Sequence, residues 1–408
     1  KLAVIGQAAF TPVFQGGGSS HVKPTRVDSV YEILTNDWSV YSADGDASVE
    51  LDEAMIAASV SAAEDADVAL LFIALPASIE SEGYDRANLL LTPQQNALIK
   101  AVAATKARTV VILNNGSAVD MREWINDVDA VLEAWLPGQA GAGAIVQVLS
   151  GRVNPSGKLG ETFPLRLSDT PAYLNFPGEN NEVRYGEGIY VGYRGYEKLE
   201  RDVLFPFGFG LSYTQFAYSD LHLSAAAFSL SEPLEVSLKV TNTGSRAGSE
   251  IVQVYVRDVA AKLHRPVKEL KGFAKVALEA GETKAVTITL TERAFSYYDP
   301  AYGRWLAEAG EFEILVGASS ADIRLTQRVE LTQGTELPSI LDRHSSVSDW
   351  LADEKGAALV QPFLAPLMGG GMGGGGEEAI GVDTATFFKD LPLLNLLAFM
   401  RGALDSTP

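Results

Sequence analysis

No cysteine occurs in the 408 residues. Disulfides, thiol catalysis and zinc–thiolate sites are excluded together. The compartment stays open, because cytoplasmic and exported bacterial proteins can both lack cysteine. Histidine is scarce: His21, His222, His264 and His344 stand far apart without ligand spacing, so no metal site and no cofactor is expected. Positive charge is in deficit, with 32 Lys and Arg against 52 Asp and Glu, a net charge of −20. Such a surface repels phosphate backbones, which argues against a nucleic-acid partner and suits an uncharged ligand such as a sugar. Long apolar runs are missing too. Leu391 to Met400 is too short to span a bilayer and contains Pro392, so no membrane partner is expected. There is no Gly-x-Ser-x-Gly elbow. No Gly-Lys-Ser/Thr follows the glycines at 16–18, and the glycines in Leu136 to Gly143 lack dinucleotide-binding spacing. No initiator Met or signal segment precedes Leu2-Ala3-Val4-Ile5, which reads as a core strand, so we expect a piece of a longer chain.

What is present is ordinary globular composition: 47% hydrophobic residues, enough for more than one core, and a length suited to two or three domains. Residues 1–165 alternate apolar strands with amphipathic helices. Val68 to Ile73, Thr109 to Leu113 and Ala130 to Trp135 read as strands, and Leu51 to Ala63, Pro93 to Ala104 and Ala140 to Leu149 as helices. Thr92-Pro93 is a helix start. This order predicts a mostly parallel sheet covered on both faces, with sites in the loops beyond the strands' carboxyl ends. Residues 166–215 are rich in Gly, Pro, Tyr and Phe and read as an ordered linker. Its aromatics around Tyr190, Tyr193, Tyr196 and Phe205 could stack on sugars, but interdomain packing is the more frequent use. Residues 216–332 switch to period two, as in Leu234 to Val240, Ile251 to Val256 and Ala285 to Leu290, which predicts an all-β sandwich. Residues 333–408 form a tail: a helix over Ser346 to Leu367, a glycine linker over Gly369 to Gly376, and a second apolar helix over Thr384 to Leu404. That apolar helix makes self-association as a homodimer a reasonable expectation.

The sharpest chemical feature follows the strand ending at Ile73: Ile79-Glu80-Ser81-Glu82-Gly83-Tyr84-Asp85-Arg86. Three carboxylates in a loop at a sheet edge can do general acid–base work if one has a tuned proton affinity. A solvated acidic loop with an Asp85–Arg86 pair is the bland alternative and, on chemistry alone, the commoner case. The second feature is Phe14-Gln15-Gly16-Gly17-Gly18-Ser19-Ser20, whose glycines allow a backbone to border a ligand.

These motifs, with Ala134-Trp135-Leu136-Pro137-Gly138-Gln139, Asn154-Pro155-Ser156-Gly157-Lys158-Leu159, Phe205 to Tyr213, Val240 to Gly244 and Arg265 to Phe273, resemble in content and order the C-terminal portion of glycoside hydrolase family 3. The resemblance runs from residue 1 to about 332 and implies a specific division of labour. A (β/α)8 barrel would supply an aspartate nucleophile and most sugar contacts. The parallel α/β sandwich would supply the acid/base, and a fibronectin type III-like domain would follow. Glu82 occupies the acid/base position, with Glu80 as its nearest competitor. Gly18 and Ser19 would border the substrate, and Asp85 and Arg86 would hold the loop in shape. The sequence contains no barrel, so the nucleophile is expected on a missing segment or a separate polypeptide. The implied activity is part of a retaining β-glucosidase acting on β-linked glucosides or oligosaccharides. A β-xylosidase part and a non-catalytic carbohydrate-binding or interaction module are the alternatives. In the closed site the Glu82 pKa should be raised by desolvation and by the ionised nucleophile.

Overall fold

The computed structural model describes residues 1–43, 50–337, 340–368, 388–396 and 398. The chain divides into two compact units, Lys1–Gly334 and Thr335–Pro408.

The first unit opens with a five-stranded, wholly parallel sheet. Its strands are β1 (Leu2–Ile5), β2 (Val40–Ala43), β3 (Val68–Ala74), β4 (Arg108–Asn114) and β5 (Ala130–Glu133), in the order β2-β1-β3-β4-β5. The crossovers carry α1 (Val30–Asp37), α2 (Glu53–Glu64) and α3 (Pro93–Ala103), and α4 (Gly141–Leu149) follows β5. Strand alternation sends successive side chains to opposite faces. Ala3, Ile5, Leu71, Ile73, Val111 and Leu113 pack against Ala63 of α2 and Leu98, Ile99 and Val102 of α3. Val4, Leu70, Phe72 and Ile112 pack against Val30 and Leu34 of α1 and Ile145 and Val146 of α4. Burial on both faces is why the central strands read as continuous apolar runs. The start of α3 is fixed by a capping box: Thr92 accepts from the Gln95 N–H, Gln95 reaches back to Thr92, and Pro93 takes the first turn.

Short strands β6 (Phe163–Pro164) and β7 (Val203–Phe205) pair across the connecting region, which also forms α5 (Tyr193–Lys198). The sandwich follows. One sheet has β8 (Phe216–Leu223), β10 (Leu234–Asn242) and β13 (Thr283–Leu290) in the order β13-β10-β8. The other has β9 (Ala227–Ser229), β11 (Gly248–Asp258), β12 (Glu269–Leu278), β16 (Gly310–Gly317) and β17 (Ile323–Gln333) in the order β12-β11-β16-β17-β9. Between β13 and β16 lie a short helix, α6 (Glu292–Phe295), and a hairpin of β14 (Tyr297–Asp299) and β15 (Arg304–Leu306). Inward residues of the two large sheets, among them Val236, Leu238, Val252, Val254, Ile288 and Ile314, form one core.

Some aromatics of the connecting region are used in packing, while Tyr173, Phe176 and Tyr185 are exposed. Trp135, Phe163, Phe205 and Phe209 form a chain of ring contacts, and Tyr193 stacks on Phe207 at 4.8 Å between ring centroids. Tyr196 is buried, and the Tyr193 hydroxyl accepts from the Leu270 N–H at 2.8 Å, tying α5 to the sandwich.

In the second unit the expected single helix over Ser346 to Leu367 is two, α7 (Val347–Ala352) and α8 (Glu354–Met368), broken at Asp353. Ser346 caps α7 in a box with Asp349, and Val347, Val360, Leu364 and Leu396 form a small core. The glycine linker at 369–376 and most of the helix expected over 384–404 lie outside the described residues. No helix among the described residues is long and apolar enough to cross a membrane.

Candidate active site

Strands β3, β4 and β5 run the same way, so the segments that follow them emerge together at one edge of the sheet. The segment after β3 spans 75–92. It opens with a single helical turn, in which the Ile79 and Glu80 N–H groups both donate to the Pro76 carbonyl, at 2.8 and 3.1 Å. Ile79 anchors in the core beneath, and Glu80 turns toward the bend after β4. There the Gly116 N–H donates to Glu80 Oε2 at 2.6 Å and the Ser117 hydroxyl to Oε1 at 3.1 Å. The chain then reverses at Gly83, whose φ of 97° suits glycine, and brings Arg86 back to the same bend. Arg86 Nη1 donates to Ser117 Oγ at 2.8 Å and to the Ala118 carbonyl at 3.2 Å, and lies 3.5 Å from Glu80. Burial lowers the Arg86 pKa, while Glu80 and Glu161 offset this.

Glu82 faces the other way, toward the glycine loop that follows β1. The Ser19 N–H donates to Glu82 Oε2 and the Ser19 hydroxyl to Oε1 at 2.8 Å. Gly18 sits beside it at φ 77°, and any Cβ there would overlap the Glu82 carboxylate. The loop is tied internally: Gln15 and Val22 exchange two hydrogen bonds, at 2.9 and 3.1 Å, and Ser20 Oγ donates to the Gly16 carbonyl. On this chain Glu82 is exposed, and the Ser19 donors hold its carboxyl below the usual glutamate range. That direction is opposite to the one expected for a closed site, because burial here is too slight to outweigh two hydrogen bonds to the charged form.

The Asp85–Arg86 pair considered from sequence is absent. Arg86 turns inward to Glu80 and Ser117, and Asp85 is exposed. Sequence reading missed the support beneath the loop. Asn115 Nδ2 donates to the Ser117 carbonyl at 2.9 Å and to Glu133 Oε2 at 3.3 Å, and the Trp135 N–H donates to Glu133 Oε1 at 2.9 Å. Burial pushes the Glu133 carboxyl up to about 7; the Trp135 and Asn115 donors oppose this, and Glu161 and Glu80 add to it. Glu161 is likewise raised by burial. The available signal was topological: Asn114-Asn115-Gly116-Ser117 and Glu133 end the strands next to the acidic loop. Among the described residues no group of three or more His, Cys, Asp or Glu could hold a metal ion.

The chain thus presents a carboxylate on a loop beyond a parallel sheet, bordered by a glycine turn and followed by a β sandwich. Comparison makes this specific. Residues 1–213 match the model described as the glycosyl hydrolase family 3 C-terminal domain, and residues 250–320 match a fibronectin type III-like domain. The chain belongs to glycosyl hydrolase family 3. It is similar to thermostable beta-glucosidase B of Acetivibrio thermocellus, with 44% identity covering 99% of this chain and 54% of that protein. It is also 42% identical to an exo-alpha-(1->6)-L-arabinopyranosidase of Bifidobacterium longum, over 90% of this chain and 48% of that one. The crystal structure of a family 3 beta-glucosidase from Bifidobacterium adolescentis superposes with a TM-score of 0.81 at 42% identity, covering 88% of this chain and 53% of that one. The chain thus spans about half the length of the curated relatives it matches.

Proposed function

We propose that this chain is the acid/base-bearing half of a retaining glycosidase that removes terminal β-linked glucose, with the nucleophile supplied by a (β/α)8 barrel outside this sequence. The observation that carries the reading is the Glu82 carboxylate, presented beyond the parallel sheet and held by the Ser19 N–H and hydroxyl. Retaining hydrolysis needs two carboxyl groups about 5–5.5 Å apart across the glycosidic bond. One attacks the anomeric carbon and becomes covalently attached as the leaving oxygen takes a proton from the other. The second carboxylate then takes a proton from water, whose oxygen displaces the enzyme from the sugar.

Glu82 serves as that second group. On the exposed loop it is held as the anion, the form that acts as base. Covering it with the other half of the site removes water and brings in the nucleophile's negative charge. Both changes raise its pKa toward the value a general acid requires. Arg86 and Asp85 belong to the loop that presents it, and Gly18 and Ser19 border the leaving-group side. A second reading takes an α-L-arabinopyranoside as substrate, because relatives of that name share 42% and 40% identity with this chain. The sugar contacts that would separate the two lie mainly on the barrel.

The test is Glu82→Gln in the complete enzyme, assayed on an alkyl glucoside and on a dinitrophenyl glucoside. Loss of a proton-transfer group costs about 10²–10⁴-fold. In kcat/KM that loss is expected on the alkyl glucoside and should largely vanish on the activated one, whereas kcat on the activated glucoside falls because the second step still needs the base. Equal activity of variant and parent on the alkyl glucoside would remove Glu82 from the role.

A further inference from the structure

We propose that Glu80 is a positioning residue for Glu82, a staple that fixes where the acid/base carboxyl stands relative to the sheet. The proposal rests on the reading of Glu82 above. Glu80 lies two residues before Glu82, and both its oxygens are committed to one bend: Oε2 to the Gly116 N–H at 2.6 Å, Oε1 to Ser117 Oγ at 3.1 Å. Apart from the Ser19 bonds that hold the Glu82 carboxylate itself, other bonds near Glu82 stay within its own loop, such as the Tyr84 hydroxyl to the Ala77 carbonyl and the Ile79 N–H to Pro76. Bonds from the loop to the sheet's body come from the Leu75 N–H, which donates to the Asn114 carbonyl at 3.2 Å, from Glu80, from Arg86 and, further on, from the Leu89 carbonyl, which accepts from the Asp120 N–H at 2.7 Å. Of these, Glu80 is nearest to Glu82 along the chain.

The bend that receives the staple is itself braced. The Ser117 hydroxyl accepts from Arg86 and donates its own hydrogen to Glu80, so one side chain links both legs of the loop. The Ser117 carbonyl accepts from Asn115 Nδ2, which also donates to Glu133 at the end of β5. Glu80 therefore connects the loop that carries Glu82 to the bend after β4 and, through Asn115, to the end of β5. Charge-assisted bonds of this kind are about twice as strong as neutral ones. Turned to the bend after β4 and lying 3.5 Å from Arg86, Glu80 points away from the Ser19 side where Glu82 stands, so it is placed to hold a backbone.

The test measures kcat/KM, which reports the first chemical step, in the complete enzyme with Glu80→Gln, Glu82→Gln and both together. Displacing a catalytic group by about 1 Å costs on the order of 10²-fold. Glu80→Gln should lower kcat/KM about 10- to 100-fold on an alkyl glucoside and much less on a dinitrophenyl glucoside, because only the former needs a well-aimed acid. In the double variant the loss should not exceed that of Glu82→Gln alone, since Glu80 acts through Glu82. Equal losses on both substrates, or losses that multiply in the double variant, would overturn the proposal. If Glu82→Gln itself spares the alkyl glucoside, the reading of the site fails instead. Should Glu80→Gln not fold, Ser117→Ala removes the shared hydroxyl and should show the same leaving-group dependence at smaller size; its absence there would equally overturn the proposal.

Discussion

Among the described residues, the loop at 80–86 and the joint where α5 meets the sandwich both gather carboxylates and cations closely, and they differ in what each carboxylate faces. At the joint, Asp258 meets Arg265 at 3.0 Å, Glu197 meets Lys268 at 2.6 Å, and Glu269 meets Arg194, Arg265 and Lys271 at 3.3–3.4 Å. Burial pushes Glu269 up, yet the three cations together hold it below the ordinary range; Asp258 is raised by burial, which Arg265 only partly offsets. In the loop the one guanidinium is taken by Glu80, and Glu82 is left with the neutral donors of Ser19. A buried carboxylate paired to a cation cannot take up a proton without stranding that cation. One held by an amide and a hydroxyl can exchange its partners and change its charge. The contrast separates a structural use of acidic residues from a chemical one.

Arg265→Ala attacks the structural side, and after the Glu82 substitution it carries the largest expected effect. Its side chain is 8% exposed and Asp258 6%. Removing one partner of such a pair costs about 3–5 kcal/mol. Denaturant melts should show that loss, and the ratio of alkyl to dinitrophenyl glucoside turnover in the folded enzyme should stay put. A changed ratio would mean the joint shapes the chemistry too. Gly18→Ala attacks the other side. The new methyl overlaps the Glu82 carboxylate and forces a non-glycine residue to φ 77°. We expect about 1–2 kcal/mol of lost stability and a leaving-group-dependent fall in kcat/KM of about tenfold. A stable variant with parental kinetics would break the link between the glycine loop and Glu82.

Glu133 gives the smallest and most diagnostic effect. Its folded pKa of about 7 lies above the ordinary glutamate value. Between about pH 4.5 and 7 the folded chain keeps a proton that the unfolded chain releases, so its contribution is full below that window and is lost as pH rises through it. Melting temperatures of the parent measured against Glu133→Gln should fall across that window and level off above it. A flat difference would place Glu133 outside the buried network.

The fold class was legible because burial on both faces leaves an unmistakable pattern. Val68 to Ile73 and Val110 to Leu113 are apolar throughout, and Leu234 to Val240 alternates, since each obeys a different sheet geometry. Among the parallel strands and the helices packed on them, two elements, α1 and β2, escaped notice. β2 is an edge strand with little burial, and α1 is eight residues long with only Val30 and Leu34 buried, so neither shows a sustained period. The acidic loop was visible as a motif, but the partner of Arg86 was not. Sequence neighbours suggested Asp85, whereas the reversal at Gly83 sends Arg86 back to the bend after β4. Glu133 looked like one polar interruption of an apolar strand, and only the parallel register Leu113↔Glu133 places it beside the strand that ends at Asn114 and runs into Asn115.

The bond between Ser19 and Glu82 joins positions 63 residues apart, and both belong to the same compact unit. On the proposed reading, the acid/base carboxylate is therefore held by two donors of its own chain. A leaving group then meets a carboxyl already oriented by a serine, and has to approach by the positions that Ser19 leaves open.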